Sequence, residues 1–296
     1  MYYLFRFATF VLPWIPHRLA HALGSVVGLI AWLIAGKARK QATKNIIHVL
    51  GAQVQETRAG RRRLRRTVQG MFVNNVRNYL ELFSLRSLSS EKILRNTHVE
   101  GIEHLDAGLA QGKGVILFSV HIGPFDYIIH YMSIKGYDVT IPVERLKDER
   151  MLNLVLDLRR SHGTQFLPLG GSSPMRAIVQ KLRDNKIVLI TADRAIEGQS
   201  IEADFFGAPA RLPIGPVKLA QRTSAALVGA LCYRTPQGLA SGQWVPFSLD
   251  LTDAQRTNTD SMMHALIEKM EQFIRRHPEQ WIAFSPIWIE DIKNGS

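Results

Sequence analysis

Cysteine is almost missing from this chain of 296 residues: Cys232 stands alone. That excludes a disulfide scaffold and any thiolate-rich zinc or iron–sulfur site within one chain, and it fits a reducing compartment. Acidic residues are also scarce, 25 against 37 Lys plus Arg, for a formal net charge of +12. The partners to expect are therefore anionic: nucleic acid, an acidic membrane surface, or an acidic carrier or substrate. Internal repeats and low-complexity linkers are lacking. With 46% hydrophobic and 21% charged residues, the chain is neither a disordered polyelectrolyte nor a fibrous polymer. No P-loop occurs, and Gly112-Lys-Gly114 precedes an apolar run, whereas a dinucleotide fingerprint follows one. A serine-hydrolase elbow is missing too, since there is no Gly-x-Ser-x-Gly and the run Gly170 to Pro174 does not sit between a strand and a helix with the required glycine after the serine.

What is present first is an uneven distribution of charge. Between Lys37 and Arg66 stand ten basic residues and one acid, Glu56, so nine of the net positive charges fall in this one segment. It follows the most apolar part of the sequence, two pieces from Leu4 to Ile15 and from Leu19 to Gly36, divided by Pro16, His17 and Arg18. As a helix the second piece reaches about 27 Å, just short of a hydrocarbon core of roughly 30 Å. Tyr2, Tyr3, Trp14 and Trp32 at its edges suit a membrane–water interface, and the basic run suits anionic lipid on the cytoplasmic leaflet. Residues 1–36 read as a membrane anchor, either one tilted span or a hairpin lying in one leaflet; a buried helical hairpin of a soluble protein is the alternative. A cleaved signal peptide is disfavoured by the positive charge just downstream. Nucleic acid is not the expected partner, because no aromatic residue interleaves with the arginines of 61–66 and no recognition motif accompanies them.

Beyond residue 67 a helical pattern runs to about 96, and then strands and helices alternate. The strands are expected at Val115 to Val120, Asp138 to Val143, Gln165 to Pro168, Ile187 to Thr191 and Ala226 to Tyr233, with an edge strand near Trp244 to Phe247. Helices are expected between them and at Asp260 to His277, before Pro278. Such alternation implies an α/β fold with a mostly parallel central sheet flanked by helices. The organisation expected is a membrane-associated helical region over residues 1–96 and one α/β catalytic domain over 97–296.

In open α/β sheets ligands bind beyond the carboxyl ends of strands, which points to His121-Ile-Gly-Pro-Phe-Asp126 after the first buried strand. Gly123 permits a tight turn and Pro124 suits the start of a helix, so Asp126 falls in its first turn and can fold back toward His121. An imidazole oriented by a carboxylate deprotonates a hydroxyl near neutral pH. The same spacing also arises by chance, and Asp126 stands four residues before His130, an ordinary helix pair.

His121 to Asp126 resembles the H-x4-D/E box of glycerolipid and glycolipid acyltransferases. Further segments follow in order: Val143-Glu144-Arg145-Leu146, Arg159-Arg160-Ser-His-Gly163, Ala192-Asp193-Arg194, Asp204 to Arg211, Gly215-Pro216, Leu219 to Thr223 and Arg275 to Trp281. With them the chain resembles, over essentially its whole length, the bacterial lipid A biosynthesis acyltransferase family, and in particular its phosphatidylinositol mannoside acyltransferase-like branch. The resemblance implies transfer of a fatty acyl group from an acyl thioester, on acyl carrier protein or coenzyme A, to a hydroxyl of a membrane glycolipid; cytoplasmic supply of acyl thioesters and the positive-inside rule together point to the cytoplasmic face of the plasma (inner) membrane. It implies no metal and no other cofactor. His121 would be the general base paired with Asp126, Glu144 and Arg159 would lie in the active-site groove, and Arg194 and Arg211 near the donor or acceptor head group. Pro124-Phe125 stand where members commonly carry Asn-Trp, which leaves the acceptor's identity open.

Plainer roles compete for the same residues. Glu144 and Arg159 also suit a structural ion pair, Arg194 and Arg211 ordinary loop charges, and Asp193 a turn cap. His17 and His21 have helical spacing but no third ligand and read as interfacial packing residues. His104, His162 and His264 have no partner legible in the sequence. A non-catalytic peripheral protein that binds lipid or recruits partners would share the anchor and the basic run, but has no use for an imidazole–carboxylate pair at a strand end.

Overall fold

The computed structural model of the chain describes residues 2–144, 148–160, 163–169, 173–194, 199–247 and 251–294. Arg145, Leu146, His162 and the stretch from Gly170 to Ser172, singled out above, lie outside them. Five helices open the chain: α1 (Tyr2–Val11), α2 (His17–Ile34), α3 (Gly36–Leu50), α4 (Arg58–Ser84) and α5 (Ser90–Arg95). The Thr57 hydroxyl accepts from the Gly60 N–H and caps α4 where the arginine run begins. Helix α2 lies against α4 so closely that a Cβ at Gly28 would sit 2.5 Å from the Val73 Cα, a contact only glycine permits. On the same face Ser25 and His21 reach Arg77 and Glu81. The opposite face, Leu19, Leu23, Val26, Ile30, Leu33 and Ile34, is exposed.

No single helix among the described residues is long and apolar enough to cross a membrane, and the chain turns by 97° between Leu19–Ile34 and Gly36–Leu50. Helix α3 goes on to bury Ala42, Asn45 and Ile46 in the protein. The apolar N-terminal pieces thus form helices with one face on protein and the other bare.

The remainder alternates as its apolar runs require. It continues with β1 (Thr97–Glu100), α6 (Ile102–Ala110), β2 (Val115–Ser119), α7 (Phe125–Ile134), β3 (Val139–Val143), α8 (Glu149–Arg159), β4 (Gln165–Pro168), α9 (Ser173–Arg183) and β5 (Ile187–Thr191). Then come a hairpin, β6 (Ser200–Phe205) and β7 (Ala208–Pro213), and α10 (Gly215–Thr223), β8 (Ala226–Arg234), β9 (Ala240–Pro246), α11 (Asp253–Thr257), α12 (Thr259–Arg276) and α13 (Ile289–Asn294). Seven strands form one sheet in the order β1-β9-β8-β2-β5-β3-β4, parallel except where β9 runs against β8.

Strand β2 is buried on both faces because both carry helices. Ile116 and Phe118 point into one apolar cluster with residues of α3, α4, α10 and α12; Val115 and Leu117 point into a second with residues of α6, α7 and α8. The first cluster makes the helices of residues 36–84 continuous with the sheet's core.

The strands differ from the sequence pattern in three places. The strand expected near Trp244 to Phe247 as an edge is interior, because β1 pairs with its outer side. The pattern does not predict β1, because its four residues, Thr-His-Val-Glu, form no apolar run. The hairpin β6–β7 forms a small second sheet that the alternating pattern does not predict.

Candidate active site

Strands β2 and β5 are neighbours, and their register sets Ser119 beside Thr191. Two residues further along each parallel strand stand His121 and Asp193, so the ladder itself delivers them to one place. His121 Nδ1 lies 2.7 Å from Asp193 Oδ1, and the His121 backbone N–H donates to Asp193 Oδ2 at 3.1 Å. The indole N–H of Trp281 donates to the same Oδ2 at 2.8 Å.

Burial would raise the Asp193 pKa. The charge of the His121 imidazole, its ring and backbone N–H groups and the Trp281 indole outweigh that and bring it down to about 2. An ionised carboxylate only accepts, so in the neutral form of the ring Nδ1 carries the proton and Nε2 the lone pair. Nε2 faces the Thr191 hydroxyl at 3.3 Å, and the ring is 22% exposed while Asp193 is 2% exposed. The pair is thus an oriented base open on one side.

Asp126 does not serve His121. Its carboxylate accepts from Arg159 Nε at 2.8 Å and Nη2 at 3.4 Å, and the guanidinium lies over the rings of Phe125 and Phe166. Gly123, at φ +65°, turns the chain between the two residues of the box. His121 therefore stays with the strand ends, while Asp126, in the first turn of α7, reaches across to α8 and ties the two helices together. The ion pair expected between Glu144 and Arg159 is replaced by this one, and Glu144, just past β3, is exposed. The Asp126–His130 spacing is used differently as well, with the His130 ring donating to the Asp126 carbonyl at 2.6 Å.

Arg194 follows Asp193 directly. It is half-buried, and its Nε has no hydrogen-bond partner among the described residues. Arg211, on β7, is exposed opposite Glu202. Cys232 is buried in β8, and burial pushes its thiol well above the usual range.

A late segment of the chain closes over the loop of His121. The Ile282 N–H donates to the His121 carbonyl at 2.7 Å, Ile122 bridges to Trp281, and the Gly123 N–H donates to the Gln280 carbonyl at 3.2 Å. From the other side Asn78 Nδ2 donates to the Gly123 carbonyl at 2.9 Å. A Cβ on Gly123 would stand 2.5 Å from the Cys232 carbonyl oxygen, so the loop is pressed against the end of β8.

Arg234 ends that strand. The Gln280 side chain brackets its backbone, accepting from its N–H at 2.6 Å and donating to its carbonyl at 2.9 Å. The buried guanidinium donates to Glu81 at 2.6 and 3.1 Å and to Asn78 Oδ1 at 2.8 Å. Burial would raise the Glu81 pKa, but Arg234 and His21 hold it below the usual range. His21 Nε2 meets the same carboxylate at 3.0 Å, which extends the network to α2.

Replacing Arg234 by Met is expected to remove about 3–5 kcal/mol of stability, because it leaves the Glu81 charge buried without its main partner. Pairing it with Glu81→Leu should recover most of the loss. Denaturant unfolding of the purified variants measures both. Equal instability of the single and double variants would show that packing of the Arg234 stem matters more than its charge.

None of Asn78, Glu81, Arg234 and Gln280 was identifiable from spacing, since they come from three distant segments. Asp193 carried a signal, its place just after an apolar strand, and so did Trp281, within a recognised late segment.

The sequence model of a family described as bacterial lipid A biosynthesis acyltransferase matches residues 1–290. A phosphatidylinositol mannoside acyltransferase of Mycobacterium tuberculosis (strain CDC 1551 / Oshkosh) is 34% identical over 220 residues, covering 73% of this chain and 68% of that protein. Another of the same name, from Mycolicibacterium smegmatis, is 28% identical over 229 residues, covering 77% of this chain and 74% of that protein.

Proposed function

Since the chain belongs to the bacterial lipid A biosynthesis acyltransferase family and is an acyltransferase, we propose that it moves a fatty acyl group from an acyl thioester, on acyl carrier protein or coenzyme A, to a hydroxyl of a membrane glycolipid. The observation that carries the chemistry is His121, with Nδ1 held by an ionised, buried carboxylate and Nε2 open. The acceptor hydroxyl binds against Nε2, beside Thr191, and gives up its proton as its oxygen attacks the thioester carbonyl. The new C–O bond forms, the C–S bond breaks, and the imidazolium returns the proton to the departing thiolate. Asp193 stabilises the imidazolium in between. No acyl-enzyme on sulfur is involved, because Cys232 is buried as a thiol. A lipid-binding scaffold would have no use for this arrangement.

Arg194, whose Nε is unpaired among the described residues, and the exposed Arg211 are candidates to meet phosphates of the donor or the acceptor head group, and Glu144 to meet the acceptor. Arg159 contributes by fixing α8 through Asp126. In this reading residues 1–96 dock the enzyme and residues 97–296 carry the chemistry. The bare apolar faces of α1 and α2, with the basic run beside them, lie in one leaflet of the plasma (inner) membrane on the cytoplasmic side, where acyl thioesters are made.

Purified protein given radiolabelled acyl carrier protein thioester or acyl-CoA and a lipid extract is expected to yield an acylated glycolipid, identified by mass. Release of free fatty acid alone, with no lipid product from either donor, would overturn the proposal.

A further inference from the structure

Helix α1 and the turn that follows it, Leu12–Trp14, present three faces, and the third is unaccounted for. Phe5, Ala8 and Leu12 pack with Leu82, Phe83, Leu85 and Leu158 in a satellite core. Tyr3, Phe7, Phe10 and Trp14 form an exposed apolar stripe, Trp14 at 87% exposure. On the flank between them Tyr2, Arg6 and Thr9 line a cavity of about 460 Å³ whose far wall is Arg86, after α4, and Arg150 and Asp157 of α8. Three exposed arginines thus line one open pocket that has a single lining carboxylate, Asp157. Two are already braced: Arg150 lies over the Tyr2 ring and beside Asp148, and Arg6 donates to the Tyr2 hydroxyl at 3.5 Å.

We propose that this cavity binds the phosphodiester head of an anionic membrane phospholipid. Guanidinium forks match phosphate oxygens in pairs, and the volume is that of a small-molecule site. Its position selects a lipid. A helix lying in the interface puts its apolar stripe among acyl chains and its flanks at head-group depth, and the stripe and the cavity share Phe10. The inference rests on the membrane docking proposed above, and adds to the diffuse attraction of the 37–66 run a site of fixed geometry.

Binding to vesicles of phosphatidylcholine alone and with about 30 mol% phosphatidylglycerol separates the two. In about 0.5 M salt the screening length shrinks to roughly 4 Å, so diffuse attraction is lost while direct charge-assisted contacts shorter than that length persist. Wild type is expected to keep about a tenfold preference for the anionic vesicles there, the size of one good charge-assisted contact. Arg6→Gln/Arg86→Gln should abolish it, whereas Arg62→Gln/Arg63→Gln, which removes the same charge from the exposed run, should not. Loss of the wild-type preference in high salt, or its survival in the Arg6/Arg86 variant, overturns the site while leaving bilayer docking intact. Failure of wild type to bind neutral vesicles overturns the docking, and the site falls with it.

Discussion

His121→Ala is expected to transfer acyl groups about 10²- to 10⁴-fold more slowly than wild type, the usual cost of losing a general base. The fall should appear in turnover rather than in the Michaelis constant of either substrate, because Nε2 does its work only as the acceptor oxygen gives up its proton. The fold should survive, since the ring is 22% exposed and the loop is held through its backbone, by Ile282 at the His121 carbonyl and by Asn78 and Gln280 at Gly123. Initial rates at saturating donor, with a melting curve of the same sample, measure this. Wild-type turnover in a well-folded His121→Ala protein would remove the imidazole from the mechanism.

Asp193→Asn is expected to cost nearly as much for a different reason. Asparagine keeps the volume but can present its amide N–H to Nδ1, which favours the tautomer with the proton on Nε2 and so blocks the base. It also removes the charge that stabilises the imidazolium. The native carboxylate stays ionised down to about pH 2, so any acidic fall in activity above that reflects another group. The sign for stability follows. A depressed carboxyl pKa contributes stability that is present above the ordinary carboxylate range and is lost as pH falls through about 2. Asp193→Asn should therefore lose its stability deficit relative to wild type in strong acid.

Most of the sheet was legible because its strands are short apolar runs bounded by turns. Gln165 to Pro168 and Ile187 to Thr191 fall where the pattern places them. The strand order was not legible, and the site depends on it. A periodic pattern tells where β2 and β5 begin and end, but only long-range pairing sets them side by side and carries His121 to Asp193. Without that, the carboxylate five residues away in sequence was the natural partner, and a single turn at Gly123 is what separates it. The Glu81–Arg234 pair was hidden for the same reason: a buried charge leaves no mark in composition, only in the partner that the fold brings to it.

Two asparagine variants compared side by side test which carboxylate belongs to the base. Asp193→Asn and Asp126→Asn are assayed for acyl transfer under single-turnover conditions, with unfolding followed on the same preparations. Asp193→Asn should lose about 10²- to 10⁴-fold in rate with a modest loss of stability. Asp126→Asn should stay within about tenfold of wild type in rate and instead lose about 1–3 kcal/mol, the cost of leaving the Arg159 fork without its charged partner. The reverse pattern, with Asp126→Asn as inactive as His121→Ala and Asp193→Asn close to wild type, would contradict the His121–Asp193 site and restore the box as the catalytic pair.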